Sequence, residues 1–160
     1  MNPILESVAE FLRSKQLRFS VGEGGTPLVF FLAGNRLAWS CEVTANQDGT
    51  MVTFLARIPV RVPEARRAAC AEQVTRLNFG RRQGAFHLDA RDGELLFCIS
   101  NLLPAPEVPD PVVEALLGLT YAAMEQEAFR LLRLAWGSPP PPATPEGPRP
   151  PAQGNRLELN

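Results

Sequence analysis

The chain has one histidine, His87, and three cysteines, Cys41, Cys70 and Cys98, and these residue types could support nucleophilic chemistry. A cysteine or serine nucleophile needs a base beside it and a third group that orients the base. His87 lies in the strand-like run 84–90, and the cysteines have apolar or small neighbours that are typical of buried thiols. The sequence therefore predicts no catalytic residue and no enzyme, with His87 on the more polar face of a strand.

Three carboxylates lie close together in the sequence, at Asp89, Asp92 and Glu94, and a metal ion is the ligand that they could bind. Their spacing is shorter than the twelve-residue calcium loop and lacks its alternating ligands. Asp92-Gly93 is instead typical of a hairpin turn, where glycine supplies the positive φ. One histidine and scattered cysteines do not make a zinc site. We predict no metal and no cofactor.

The stretch Gly22-Glu23-Gly24-Gly25 resembles a phosphate-binding loop in its glycine content. Such a loop requires a lysine and a serine or threonine at the start of a following helix. The apolar run 28–34 follows instead and reads as a strand. The stretch is therefore predicted to be a flexible linker.

Arginines make the second predicted helix and its exit locally basic. Glu64 and Glu72 dilute this charge, and no aromatic side chains accompany it for base stacking. The net charge of −1 also gives the chain no general attraction to nucleic acid. A solvated helix face is the favoured interpretation, and weak nucleic-acid contact through Arg66–Arg82 remains an alternative. The arginines concerned are Arg66, Arg67, Arg76, Arg81 and Arg82.

The length and composition indicate a globular protein. A chain of 160 residues can form one domain with a proper core, and 45% hydrophobic with 21% charged residues is ordinary for that class. Three cysteines without a CxxC spacing favour a reducing compartment. No run approaches the roughly 18 apolar residues of a membrane span, and the N-terminal stretch has no basic leader. We expect a cytoplasmic protein without a membrane partner.

The hydrophobic periodicity predicts an α+β domain. Asn2-Pro3 is typical of a helix start, and alternation of apolar and polar residues marks the strands. The order is α-β-β-β-α-β-β-α, with an antiparallel sheet packed against helices. The predicted elements are a helix at 3–16, strands at 28–34, 36–45 and 51–60, a helix at 63–79, a hairpin at 84–100 and a long helix at 112–136.

The composition changes at Gly137. The segment 137–160 contains eight of the sixteen prolines and few residues that could be buried. Such a composition favours an extended, disordered chain. The sequence therefore predicts a domain over residues 1–136 and a proline-rich disordered tail over 137–160.

One segment of the chain carries a family resemblance. A helix that ends in Leu77-Asn78, then the hairpin sequences GAFHLD (84–89) and ELLF (94–97), resembles the YbjN family of bacterial sensory transduction regulators. The resemblance extends over residues 1–136, although only 77–97 is motif-like. It implies a fold similar to type III secretion chaperones and carries no catalytic residue over. Within the motif we expect Asn78 to cap the helix exit.

Alternation along the strands also predicts two different sheet faces. One face is predicted to be core, and the other is too apolar to lie simply in water. The long helix has a similar surplus away from its main stripe. The core face is Leu28, Phe30, Leu32, Leu37, Trp39, Cys41, Val43, Val52, Phe54, Ile58, Phe86, Leu88, Leu95 and Phe97. The predicted protein-binding residues are Val29, Phe31, Met51, Leu55, Leu96, Phe129, Leu132 and Trp136.

These observations favour a non-enzymatic protein-binding module, chaperone- or adaptor-like, with a regulatory role and a homodimeric state. Its partners are then a second copy and an unidentified protein. Two other classes stay open. One is a small-ligand sensor or an enzyme with an unrecognised site, and the other is a regulator that contacts nucleic acid through Arg66–Arg82.

Overall fold

Helix α1 (Pro3–Ser14) is the first element of the computed structural model, which describes residues 2–137. The Asn2 side chain accepts a hydrogen bond from the Ile4 amide at 2.9 Å, and Pro3 takes the first helical position. Both residues suit a helix start because the first amides of a helix have no partner within it. The helix therefore begins where the sequence predicts and ends two residues earlier, at Ser14.

The strands form one six-stranded antiparallel sheet, which confirms the predicted α+β class. Their order across the sheet is β1-β2-β3-β4-β6-β5, so consecutive strands are neighbours except where α2 separates β4 from the last hairpin. The strands are β1 (Phe19–Val21), β2 (Leu28–Ala33), β3 (Ala38–Ala45), β4 (Met51–Arg57), β5 (Ala85–Leu88) and β6 (Leu95–Leu102).

Strand β1 is absent from the sequence-based prediction. Phe19 lies opposite Phe30 in the sheet, and the Gly22 amide donates to the Pro27 carbonyl at 2.8 Å. The stretch 22–25, predicted to be a flexible linker, is therefore the loop of a hairpin and contains one 3₁₀ turn. A three-residue strand is too short to show alternation, so only its pairing with β2 identifies it.

The core-face prediction is confirmed. Of the residues predicted for this face, all but Leu37 and Leu88 are buried, and these two pack partly buried against the core. The largest buried side chains include Trp39, Phe54 and Phe97, each at most 1% exposed. The alternation of apolar and polar residues predicts burial correctly here because one face of each strand packs against the helices and the other does not.

The long C-terminal helix is continuous but not uniform. It comprises α3 (Asp110–Ala123), a π turn (Met124–Ala128) and α4 (Phe129–Trp136). The remaining helix, α2 (Glu64–Phe79), lies between β4 and β5 in the chain. Leu132 follows Ala128 by four residues and so shares its buried face. At 1% exposure Leu132 belongs to the core, and its predicted role in a binding surface is wrong.

No helix within residues 2–137 has the length and apolar character needed to cross a membrane. The predicted tail lies outside the described residues, apart from Gly137. Gly137 itself ends α4 in the left-handed conformation, with φ of 68°, and its amide donates to the Arg133 carbonyl. Glycine is favoured at this position because it has no Cβ to clash.

Candidate protein-interaction surface

The sheet face opposite the helices keeps its side chains partly exposed along the strands, so the described helices do not cover it. We call it the open face. Phe31 is 54% exposed, and the other predicted sheet residues are half-buried by their neighbours on the strands. The structure therefore places five of the predicted binding residues on one surface: Val29, Phe31, Met51, Leu55 and Leu96.

Polar and apolar residues alternate across the open face as well as along it. Leu55 lies opposite Glu42 on one side and opposite Cys98 on the other. Leu96 lies likewise between Arg57 and a histidine on β5. Because residues opposite each other on antiparallel strands have Cβ atoms about 5 Å apart, these side chains form a continuous mixed surface.

The central charge of the open face is already paired. Arg57 donates to a Glu42 carboxylate oxygen at 3.0 Å and lies 2.9 Å from a Glu94 oxygen. Partial burial lowers the pKa of Arg57, but its hydrogen bonds and attraction to these two carboxylates outweigh that effect and raise the pKa above its ordinary value. The arginine therefore stays charged with both partners in place.

His87 and Cys98 share the open face, while Cys41 and Cys70 are buried on the helix side. Burial raises the pKa of Cys41 to about 12, and it also raises the pKa of the other two thiols. A raised pKa keeps a thiol protonated and weakly nucleophilic at neutral pH. The absence of a catalytic histidine or cysteine stays a prediction, and these thiols do not have the lowered pKa of an activated nucleophile.

Two cavities of the described region also bear on the enzyme and small-ligand alternative. A cavity of about 250 Å³ lies beside Arg57 and Arg61, and one of about 450 Å³ lies beside Phe129 and Arg133. Neither is lined by His87 or a cysteine. Neither of these two cavities is therefore a site built around the one histidine.

The carboxylates at the hairpin stabilise its turn. Asp89 accepts hydrogen bonds from the Arg91 side chain, the nearest at 2.7 Å, and these lower the pKa of Asp89 to about 2. Asp92 accepts the Glu94 amide at 2.9 Å, which lowers its pKa too. Gly93 has the positive φ that the sequence predicts for the turn. Within residues 2–137 no group of three or more histidine, cysteine or acidic side chains is arranged for a metal ion.

The arginines of the predicted basic region make separate contacts within the chain. Arg67 donates to the Val62 carbonyl at 3.2 Å and to two carbonyls of the hairpin loop. The Arg81 guanidinium lies 5.0 Å from the centre of the Phe86 ring, and Arg76 pairs with a glutamate one turn away. Three of the five arginines are therefore engaged within the chain. This weakens the nucleic-acid alternative, which needs several free guanidinium groups on one face.

Asn78 has a different role from the predicted helix cap. Its side-chain amide donates to the Phe86 carbonyl at 2.8 Å, and its oxygen accepts the Phe86 amide at 2.9 Å. Both main-chain groups lie on the outer edge of β5, where no further strand follows. The asparagine thus substitutes for a neighbouring strand at one residue, a role that local sequence patterns do not reveal.

The predicted binding residues of the long helix lie apart from the open face. Trp136 is 43% exposed, whereas Phe129 is half-buried beneath Arg36, whose guanidinium lies 5.1 Å from the ring centre. Leu132 is in the core. Helix α4 packs against α2 in the helix layer, so these residues do not extend the open face.

A solved structure shares this fold. The E. coli protein in "Crystal structure of YbjN, a putative transcription regulator from E. coli" matches with a TM-score of 0.60 and 13% identity, covering 78% of this chain and 88% of that one. A chain of "Structure of the HopA1-SchA Chaperone-Effector Complex" matches with a TM-score of 0.49 and 8% identity, covering 76% and 88%. No curated protein sequence matches significantly.

The family comparison covers more than half of the chain. The model described as "YbjN: Putative bacterial sensory transduction regulator" matches residues 5–132, from the first turn of α1 into α4. This range includes the whole sheet, the Asn78 contact and the hairpin whose sequence carries the resemblance. The chain belongs to the YbjN family.

Proposed function

We propose that the protein is a non-enzymatic binding module for other proteins, adaptor- or chaperone-like and regulatory, and that it acts as a homodimer. The observation that carries the proposal is the open face. It holds five apolar side chains on a sheet whose other face is filled by the core. A second copy covers part of this face, and the remainder binds a segment of a partner protein.

The apolar content of the open face favours covering it. Burial of apolar surface contributes roughly 25 cal/mol per Å², and contiguous apolar patches on a soluble protein usually mark interfaces. Self-association through a two-fold axis is the commonest way to use such a patch, because one surface then serves both copies. Phe31, the most exposed of the five residues, is the natural centre of the contact.

The central polar groups of the open face do not oppose covering it. Arg57 is paired with Glu42 and Glu94, and the hydroxyl groups of Thr53 and Ser100 are 2.8 Å apart. An unpaired charge or hydroxyl would make covering the face costly. Because these groups already have partners, another protein surface can cover them without leaving them unsatisfied. Three unpaired cysteines also suit the reducing cytoplasm in which we place the protein.

Alkylation of Cys98 in the native protein tests the proposal, because Cys41 and Cys70 are buried and Cys98 lies within the open face. We expect slow labelling at micromolar concentration and faster labelling on dilution. The substitution Phe31→Glu should give fast labelling at every concentration without contacting the thiol. Val21→Glu is the matched control, since Val21 is 47% exposed at the rim of the opposite face.

Thermal melting of both variants establishes that they are folded. Equal Cys98 labelling rates in the wild type, Phe31→Glu and Val21→Glu, independent of concentration, would contradict the proposal. Unfolding caused by Phe31→Glu would show that this face is core after all, and would contradict it equally.

A further inference from the structure

A cavity of about 450 Å³ lies between α2 and α4, beside the turn that joins β2 to β3. Each of these elements contributes to its lining: Gln73 belongs to α2, Arg133 to α4 and Arg36 to the turn. The volume falls within the roughly 300–1,000 Å³ that is usual for small-molecule sites. None of the apolar residues of the open face lines the cavity, so it is separate from the proposed dimer contact.

Positive charge dominates the lining of this cavity. The lining includes the guanidinium groups of Arg36, Arg130 and Arg133, and none of the described residues that line it is acidic. A fourth arginine, Arg66, approaches Gly137 at the margin of the cavity. The whole chain has a net charge of −1, so this concentration of arginine is a local feature. An anion is therefore the ligand that complements the cavity.

The two arginines of α4 are not neutralised by acidic neighbours. The Arg133 guanidinium makes no hydrogen bond or ion pair within residues 2–137. Arg130 lies 3.8 Å from a Glu127 oxygen, which has no hydrogen-bond partner in the described region, and its side chain is 65% exposed. Because Arg130 and Arg133 are three residues apart on one helix, their like charges lie on the same side and repel each other. An anion bound between them relieves that repulsion.

Arg36 is held at the cavity by contacts between the β2–β3 turn and the long helix. Its guanidinium lies 5.1 Å from the centre of the Phe129 ring. The preceding residue, Asn35, donates its main-chain amide to a Glu125 oxygen at 3.0 Å and its side-chain amide to the other oxygen at 2.8 Å. Glu125 is thereby occupied by the turn. A guanidinium that is already positioned loses less entropy when it binds a ligand.

The long helix is irregular where it borders this cavity. The π turn Met124–Ala128 directly precedes Phe129 and Arg130, and Gln126 within the turn lines the cavity. Single π turns inside α-helices are uncommon and occur frequently at functional sites. In this protein the same turn supplies Glu125 to the β2–β3 turn and Gln126 to the cavity. It therefore connects the positioning of Arg36 with the lining itself.

We propose that this cavity binds the phosphate group of a small molecule. Arginine binds phosphate oxygens through two parallel N–H donors in a planar arrangement. A phosphate group carries a charge of roughly −1.5 to −2 at neutral pH and offers three strong acceptor oxygens. It therefore suits three guanidinium groups better than a carboxylate does, which has a single charge and two oxygens. The side-chain amides of Gln73 and Gln126 add further donors to the lining.

The lining favours a small molecule over a nucleic acid. Binding of single-stranded nucleic acid relies on exposed aromatic rings on which the bases stack. Phe129 is the aromatic residue of this lining, and the Arg36 guanidinium lies over its ring. Leu134 instead supplies a small apolar surface, which suits the organic part of a phosphate ester. The site goes beyond the proposed protein-binding role and does not depend on it.

NMR titration of the isotope-labelled full chain at constant ionic strength tests the proposal. The ligands are inorganic phosphate and phenyl phosphate, and benzoate is the carboxylate reference. We expect both phosphates to shift the Arg130 and Arg133 Nε–H signals saturably and to leave that of Arg82 in place. Arg133→Gln should weaken the binding of both at least about tenfold, because hydrogen bonds to a charged group are lost.

Two further variants sharpen this test. Arg82→Gln is the matched control, since it removes the same charge from an exposed arginine outside the lining, and it should leave the affinities unchanged. Arg133→Lys keeps the charge but not the two parallel donors, so its affinity should fall between those of the wild type and Arg133→Gln. Thermal melting establishes that the variants are folded. If Arg133→Gln is unfolded, Arg130→Gln provides the same test.

The two phosphates distinguish the source of the phosphate group. Tighter binding of phenyl phosphate supports an ester as the ligand, and equal or tighter binding of inorganic phosphate supports the free ion. The proposal is overturned if neither phosphate gives a saturable shift, if Arg82→Gln and Arg133→Gln weaken binding equally, or if benzoate binds as tightly as phenyl phosphate. A single-stranded oligonucleotide that binds these arginines more tightly than phenyl phosphate overturns it too. None of these results bears on Cys98 labelling, so the two proposals fail separately.

Discussion

The two faces of the sheet are built from the same strands, but their side chains have different surroundings. On the helix side Phe54 and Phe97 are at most 1% exposed, and the helices complete their surroundings. On the open face their sequence neighbours Leu55 and Leu96 remain half-buried, and the charges between them are paired within the face. The helix-side face therefore contributes more of the burial that stabilises the fold, whereas the open face keeps apolar surface in contact with water.

The largest expected effect is a difference in the free energy of unfolding between substitutions at two adjacent residues, one on each face. Phe54→Ala should lower the free energy of unfolding by about 3–5 kcal/mol, because it leaves a cavity in a filled core. Leu55→Ala removes a half-buried side chain and should cost about 1 kcal/mol. Denaturant unfolding at one fixed chain concentration measures both. Similar losses for the two variants would mean that the faces are not distinct.

The next largest effect on stability is expected at the outer edge of β5, where Asn78 binds the main chain. Asn78→Ala should lower the free energy of unfolding by about 1–3 kcal/mol, because the Phe86 amide and carbonyl lose their partners. Asn78→Asp keeps an acceptor for the amide and should cost less. Gln83→Ala, at an exposed side chain nearby, is the control and should have little effect. If Asn78→Ala matches that control, the asparagine does not protect the edge.

The smallest effect lies in the hairpin turn, away from both faces. The pKa of Asp89 is lowered to about 2, so its bonds to Arg91 contribute above the ordinary value of 3.8 and are lost as the pH falls through about 2. In Arg91→Ala the pKa of Asp89 should rise toward 3.8. A carboxyl-carbon NMR titration follows the change. An unaltered midpoint in the variant would show that Arg91 is not the cause.

Alternation explains why much of the fold is predictable from the sequence. Trp39, Cys41 and Val43 recur at every second residue, and a one-residue shift would place all of them on the wrong face. The same logic places Phe31 and Leu55 together on the open face. The cap at Asn2-Pro3 and the turn at Asp92-Gly93 are equally local, because their hydrogen bonds join residues close in sequence.

The features that the sequence does not predict depend on contacts between distant elements. The pairing of Asn78 with Phe86 requires α2 and β5 to be placed side by side first. Strand β1 exists only as a partner of β2. The burial of Leu132 is different, because its four-residue spacing from Ala128 is visible in the sequence. The buried stripe of the long helix is broad enough to include Leu132.

A second copy that covers the open face doubles the molar mass of the protein in solution, so a measurement of that mass tests the proposed homodimer most directly. Light scattering during size-exclusion chromatography at micromolar concentration should give twice the 17.5 kDa mass of the chain. Phe31→Glu should shift the mass toward one chain, and Val21→Glu should not. A wild-type protein that elutes as a clean 17.5 kDa monomer would contradict the proposed homodimer.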